Sequence, residues 1–217
     1  MDKYLTVSPE GTPIARLLLA HGAGAPMDSP FMNEMAVLLA ARGIEVVRFE
    51  FPYMVSRRIT GKRKPAPKAE TLREAFLTAI AEVAGSEAAP LAIGGKSMGG
   101  RVASLVADAA FTTGSIKALV CLGYPFHPPG MPEATRTAHL EQLACPALIV
   151  QGERDPFGTR VEVDAYRLSP SIQVAWLGDG DHDFGPRGAS GFTRKGNLTA
   201  AADAVTAFLA GLGSEKS

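Results

Sequence analysis

Six short runs rich in Val, Ile, Leu and Ala recur along the chain with few polar interruptions: Ala15–His21, Ile44–Phe51, Pro90–Gly94, Ile116–Gly123, Pro146–Gly152 and Ile172–Leu177. A strand with one wet face alternates apolar and polar residues, so continuous runs of this length predict strands covered on both faces. Between them, helical spacing links Phe31 to Met35, Leu38, Leu39 and Arg42, then Val102 to Leu105, Val106 and Ala109, and finally Leu198 to Ala202, Val205, Leu209 and Leu212. The alternation predicts right-handed crossovers and an α/β fold: an open, mostly parallel sheet of about six to seven strands with helices on both faces. Tyr4–Ser8 is a candidate antiparallel edge strand. Ligands of such sheets sit beyond the carboxyl ends of the strands, so the loops after each run are where function is sought.

Length and composition narrow the class. The 217 residues, 46% of them apolar, fit a single domain over 1–217 that needs no disulfide or metal to fold. Twenty-two basic residues balance 22 acidic ones, which argues against a nucleic-acid partner. No apolar run approaches the roughly 18–20 residues of a membrane span, so no membrane partner is expected. The opening MDKYLTVSPEGTP has no secretory h-region, and Cys121 and Cys145 sit in apolar surroundings. A cytoplasmic setting follows, with a monomer or small homo-oligomer.

One stretch departs from the pattern. Phe51–Lys68 holds six basic residues, three prolines and no acid, with the charge concentrated over Arg57–Lys68. It reads as a solvated, proline-punctuated loop; the sharper alternative is that it borders the site and attracts an anionic substrate or an acidic partner.

The chemistry centres on Gly95-Lys96-Ser97-Met98-Gly99, a G-x-S-x-G pattern where a predicted strand gives way to a predicted helix. A sharp turn there strains the backbone of Ser97, requires small residues two positions to either side, and presents the hydroxyl at the top of the sheet. A serine needs a base. Of the four histidines, His182 follows the last strand in a glycine-bearing loop and is the first candidate. His127 is the runner-up and, with Tyr124 and Phe126, is otherwise assigned to the substrate pocket. His139 falls in the helical pattern Glu133–Leu143, on the surface. Asp155, after the run ending at Gly152, is the carboxylate expected to orient His182, with Glu153 its competitor. The chain order Ser97…Asp155…His182 matches one hydrolase architecture and not those of the two protease architectures. Two backbone N–H groups would hold an oxyanion: Met98, and Ala23 with Gly22 as alternative, His21 anchoring that loop. Lys96 is expected to point into solvent, the alternative being that it raises the local positive potential.

These parts together resemble the α/β-hydrolase superfamily, from about Leu17 to Leu212. More narrowly, LLAHGAGAPMDSPFM, FEFPYM, IGGKSMGGR and GDGDHDF resemble the small dienelactone-hydrolase-like group around testis-expressed protein thirty and the hydrolase-like domain of NSL-complex subunit three. The resemblance implies a minimal core without a large helical lid, in agreement with the short Gly123–Glu133 connection. Ser97 stands where dienelactone hydrolases carry cysteine, so lactone cleavage does not follow.

The expected activity is that of a serine hydrolase acting on a small carboxylic ester or thioester, carboxylesterase- or thioesterase-like. It needs no cofactor and no metal, and its partner is a small-molecule acyl substrate. The same triad serves peptidases and C–C-bond hydrolases. A catalytically inactive binding or scaffold protein on this fold is the alternative of another class. Gly185–Asn197 is expected to fold over the pocket.

Overall fold

The computed structural model describes residues 2–85 and 89–212. Seven strands, β1 (Tyr4–Val7), β2 (Ala15–Ala20), β3 (Ile44–Phe49), β4 (Leu91–Lys96), β5 (Ala118–Leu122), β6 (Ala147–Gly152) and β7 (Ile172–Leu177), form one open sheet in the order β1-β3-β2-β4-β5-β6-β7. β1 runs antiparallel to β3, and every other neighbouring pair is parallel.

The unbroken apolar runs follow from the pleat, because successive side chains enter different cores. Leu18 and Ala20 pack with Phe76 of α3 (Arg73–Val83) and with Val102 and Val106 of α4 (Met98–Thr112). Leu17 and Leu19 face the other way, onto Met35 of α1 (Pro30–Ala40) and onto Leu198 and Val205 of α6 (Arg194–Gly211). In β6, Ala147 and Ile149 join the first core while Leu148 and Val150 join the second. A polar residue on either face of these strands would be buried, at about 1–3 kcal/mol if left unpaired.

Two expectations need correction. The basic stretch is not wholly a loop: α2 covers Pro52–Thr60, with Pro52 in its first turn and Gly61 closing it in the left-handed region at φ 68°. Phe51 and Met54 are buried, and this apolar anchorage outweighs the repulsion among the arginines. Arg58 lies between Glu50 and Asp28, which accept its hydrogen bonds and raise its pKa further. Conversely, Glu133–Leu143 forms only a short 3-10 turn, Ala138–Leu140. His139 is there drawn in against Ser104 Oγ at 2.8 Å, so it is not a free surface histidine.

Candidate active site

The loops after β4, β6 and β7 meet at the carboxyl edge of the sheet. At the end of β4 the chain must turn sharply into α4, and Ser97 takes φ 52°, ψ −117° to do so. The turn closes because Gly95 and Gly99 bring backbone to backbone: a Cβ on Gly95 would fall 2.3 Å from the Gly99 carbonyl carbon, and one on Gly99 would fall 2.5 Å from the Ala20 oxygen. The Ser97 N–H donates to the Leu122 carbonyl at 3.0 Å, which ties the turn to β5. Among the described residues the Ser97 hydroxyl makes no hydrogen bond, so its oxygen is unengaged.

After β6, Asp155 is fully buried, and its two carboxylate oxygens are divided between neighbours. Oδ1 accepts the Phe157 N–H at 2.9 Å; Oδ2 accepts from Gln151 Nε2 at 3.0 Å and from His182 Nδ1 at 2.8 Å. A carboxylate accepts, so Nδ1 carries the proton of this contact and Nε2 is the ring nitrogen turned away from Asp155. Phe157 also packs against the His182 ring, centroid to centroid 4.4 Å. Glu153 is engaged elsewhere, on Arg160 at 2.9 Å and on the Asp179 N–H at 3.0 Å. The acids near His182 in the chain are engaged with groups other than its ring. Asp179 is held by Arg187 and Arg154, which keep its carboxyl down at about 2, and Asp181 accepts the Asp183 and Gly185 N–H groups.

Ser97 and His182 share the wall of a cavity of about 510 Å³ with Gly22, Ala23 and Phe31. A second cavity of about 770 Å³ also reaches Ser97 and is lined by Met98, Lys68, Arg101 and Arg136. Ala23, Ser97 and Phe157 belong to both. Among the described residues neither the Ala23 nor the Met98 N–H has an acceptor within the protein. Gly22 lies beneath them, its Cβ position 3.8 Å from Ser97 Cβ. His21 fixes this loop. Phe51 N–H donates to its Nε2 at 3.1 Å, so Nδ1 carries the proton it gives to the Gly22 carbonyl at 2.7 Å. Burial pushes the His21 pKa down and keeps the ring neutral.

Several residues assigned from sequence are not at the cavities. Tyr124 and Phe126 are fully buried in the core, ring to ring at 4.9 Å, and only Pro125 between them reaches the cavity wall. The Phe126 N–H donates to the Tyr124 carbonyl at 3.1 Å, and this tight turn about Pro125 keeps both rings in the core. His127 is buried with its ring nitrogens on the Pro128 carbonyl at 2.8 Å and on Glu162 at 3.4 Å, so it neither lines the cavities nor stands free as a base. Of the 185–197 segment only Arg194, at the start of α6, lines either of the two cavities at Ser97; Phe192 packs instead at Gly178. Ala66, Pro67 and Lys68, the end of the basic stretch, do border the larger cavity.

Lys96 reverses the expectation of a solvent-facing side chain. It is buried, and its ammonium donates to the His182 carbonyl at 2.8 Å and lies 3.2 Å from Asp183 and 5.2 Å from the Phe31 ring centroid. Burial lowers its pKa, and Asp183 opposes that shift. Nothing local in the sequence marks Gln151. Fully buried, it accepts the Tyr124 N–H at 2.7 Å and donates to Asp155, to Tyr124 O and to Gly158 O. The two cysteines are free and buried, which raises both thiols, Cys145 to about 12. Among the described residues no group of three His, Cys, Asp or Glu side chains is placed to hold a metal ion, and no helix is long and apolar enough to cross a membrane.

Solved structures share this architecture. A dienelactone hydrolase from Anabaena variabilis superposes with TM-score 0.71 at 21% identity, covering 94% of this chain and 89% of its own. An alpha-beta serine hydrolase homologue from Coxiella burnetii gives 0.69 at 18% identity, with the same coverage of both chains. A serine hydrolase without lid, XC6422 from Xanthomonas campestris, gives 0.67 at 17% identity over 94% of this chain and 88% of its own. At these identities the likeness is one of fold. The sequence pattern of the alpha/beta hydrolase domain matches residues 13–210, and the chain belongs to that family.

Proposed function

We propose that the protein is a serine hydrolase that cleaves a small carboxylic ester or thioester through Ser97, His182 and Asp155. The observation that carries this reading is the 2.8 Å contact between His182 Nδ1 and buried Asp155, with His182 and Ser97 on the wall of one cavity. Ser97 Oγ attacks the acyl carbon while His182 Nε2 takes its proton, and Asp155 stabilises the imidazolium. The unengaged N–H groups of Met98 and Ala23 receive the tetrahedral oxyanion; one such donor is typically worth on the order of 100- to 1000-fold in rate. Collapse breaks the acyl C–O or C–S bond, and His182 returns the proton to the departing oxygen or sulfur. Water then attacks the acyl-Ser97 ester by the same steps, freeing the acid and restoring the serine. By its motifs we place the chain in the testis-expressed-protein-thirty and NSL-subunit-three branch. Two free buried thiols fit a reducing, cytoplasmic setting.

A fluorophosphonate probe tests the reading: wild type is labelled, and Ser97→Ala and His182→Ala are not. The second reading, an inactive scaffold, draws on the Ser97 hydroxyl having no hydrogen-bond partner. Catalytic hydrogen bonds are often open without substrate. A folded wild type that resists labelling would decide for the scaffold.

A further inference from the structure

We infer that the cavity of Lys68, Arg101 and Arg136 recognises a carboxylate at the far end of the acyl group. This rests on the serine-hydrolase reading and names its substrate class. His182 lines only the smaller of the two cavities that meet at Ser97. A base that must hand its proton to the departing atom fixes the leaving-group side, so the leaving group occupies the His182 cavity. The acyl group then extends into the other.

That second cavity is charged in a way that a neutral acyl chain does not need. It sets three cations, Lys68, Arg101 and Arg136, against one carboxylate, Glu70. Arg101 pairs with Glu70, which leaves the cavity with an excess of positive charge. Among the described residues the Arg136 guanidinium makes no hydrogen bond or ion pair, and Arg101 Nε is buried without a partner. Burial chiefly lowers the Arg136 pKa, the Arg101 charge adds to the shift, and Glu70 opposes it. The unpaired Arg136 guanidinium, on one cavity wall with Arg101 and Lys68, offers its donor fork to a planar carboxylate.

The spacing sets the length. Arg101 stands four residues after Ser97, about 6 Å along the helix axis. An acyl group of about four to six carbons, a hemisuccinyl to hemiadipoyl ester, would put its carbonyl at Ser97 and its carboxylate among the arginines. A cavity of about 770 Å³ holds such a group without closure of a lid.

The test compares 4-nitrophenyl hemiglutarate with 4-nitrophenyl pentanoate, which has the same number of acyl carbons and no charge. Wild type should prefer the hemiglutarate by about tenfold or more in kcat/KM, since a charge-assisted pair is worth that much. The preference should shrink in high salt. Arg136→Gln and Arg101→Gln should each lower the ratio about tenfold, Arg136→Lys should lower it less, and Arg136→Glu should turn the preference toward 4-nitrophenyl 5-aminopentanoate. That inversion of charge preference is something a merely destabilised variant would not produce. A wild-type ratio near one, or a ratio that Arg136→Gln leaves unmoved, overturns the inference. So does tenfold better turnover of a matched ester ending in phosphonate. A wild type that takes the fluorophosphonate label but hydrolyses neither ester overturns it too, leaving the activated serine standing. Absence of both label and turnover removes the serine-hydrolase reading itself.

Discussion

The Lys96 ammonium donates to the backbone carbonyl of His182 across 2.8 Å, joining the residue before the nucleophile to the residue proposed as its base. The side chain reaches that carbonyl from a position only 6% exposed. Its ion-pair partner among the described residues, Asp183, is itself largely exposed. A buried cation is retained against its desolvation, and what it holds here is the loop that carries the imidazole.

Lys96→Met should therefore lower kcat by about ten- to a hundredfold with a smaller change in KM, because a misplaced base weakens the chemistry more than the binding. The thermal midpoint should hold or rise, since the substitution removes a buried charge and leaves Asp183 in water. Steady-state kinetics beside a melting curve check both. Full activity in Lys96→Met would mean that the loop is fixed without this contact.

Gln151 makes a second prediction about positioning. It accepts the Tyr124 N–H and donates to Asp155 Oδ2, Tyr124 O and Gly158 O, all from a fully buried site. Gln151→Leu matches the volume and strands those groups, so stability should fall by about 2–3 kcal/mol in urea unfolding. Gln151→Glu keeps the shape but sets a second carboxylate beside Asp155, and its fluorophosphonate labelling rate should fall further than that of Gln151→Leu relative to the stability lost. Equal stability of Gln151→Leu and wild type would refute the account.

The sheet was legible in the sequence because double-sided burial marks every residue of β2, β4, β5 and β6, as Leu17–Ala20 shows in four consecutive positions, whereas β7 at the sheet edge is only partly buried despite its apolar run. The turn at Ser97 was legible because only small residues fit at Gly95 and Gly99. What could not be read lies in contacts between distant segments. Lys96 by type belongs in water, and only the return of residue 182 over the end of β4 gives its ammonium an acceptor. Gln151 is one polar residue at the end of an apolar run, and its role depends on Asp155 and Tyr124 arriving beside it. Tyr124 and Phe126 were placed in the pocket because they follow a strand, but Pro125 alone faces it. α2 did carry a local signal, Pro52 at its start and Gly61 after its end, masked by the basic composition around it.

Gly99 should tolerate no side chain. A Cβ there would lie 2.5 Å from the Ala20 oxygen and 2.6 Å from the His21 oxygen, backbone atoms of the strand that leads into the Ala23 loop. Gly99→Ala should cost about 2 kcal/mol or more through overpacking and reduce labelling of Ser97, since the loop must move away. Gly188→Ala, with nothing within 4 Å of its added Cβ, is the control and should stay within about 0.5 kcal/mol of wild type. Indistinguishable melts for the two variants would show that the elbow is looser than its geometry.

His21 predicts how stability responds to pH. Its folded-state pKa is lowered from 6.5, chiefly by burial, and its Nε2 accepts a backbone N–H that protonation would expel. Above pH 6.5 the ring is neutral in folded and unfolded chains alike and adds no pH dependence. Below 6.5 the unfolded chain gains a proton that the folded chain refuses, so stability falls with pH until the lowered folded value is reached. The slope is at most about 1.4 kcal/mol per pH unit for one such group. His139, also lowered by burial, adds a share of the same sign. Urea unfolding between pH 7 and pH 5 isolates this window from the carboxylates, which titrate lower. His21→Gln should start less stable at pH 7, having lost the fit to Phe51, and should descend less steeply than wild type. Parallel slopes for the two proteins would place the pH dependence on other groups and leave His21 as a structural anchor alone.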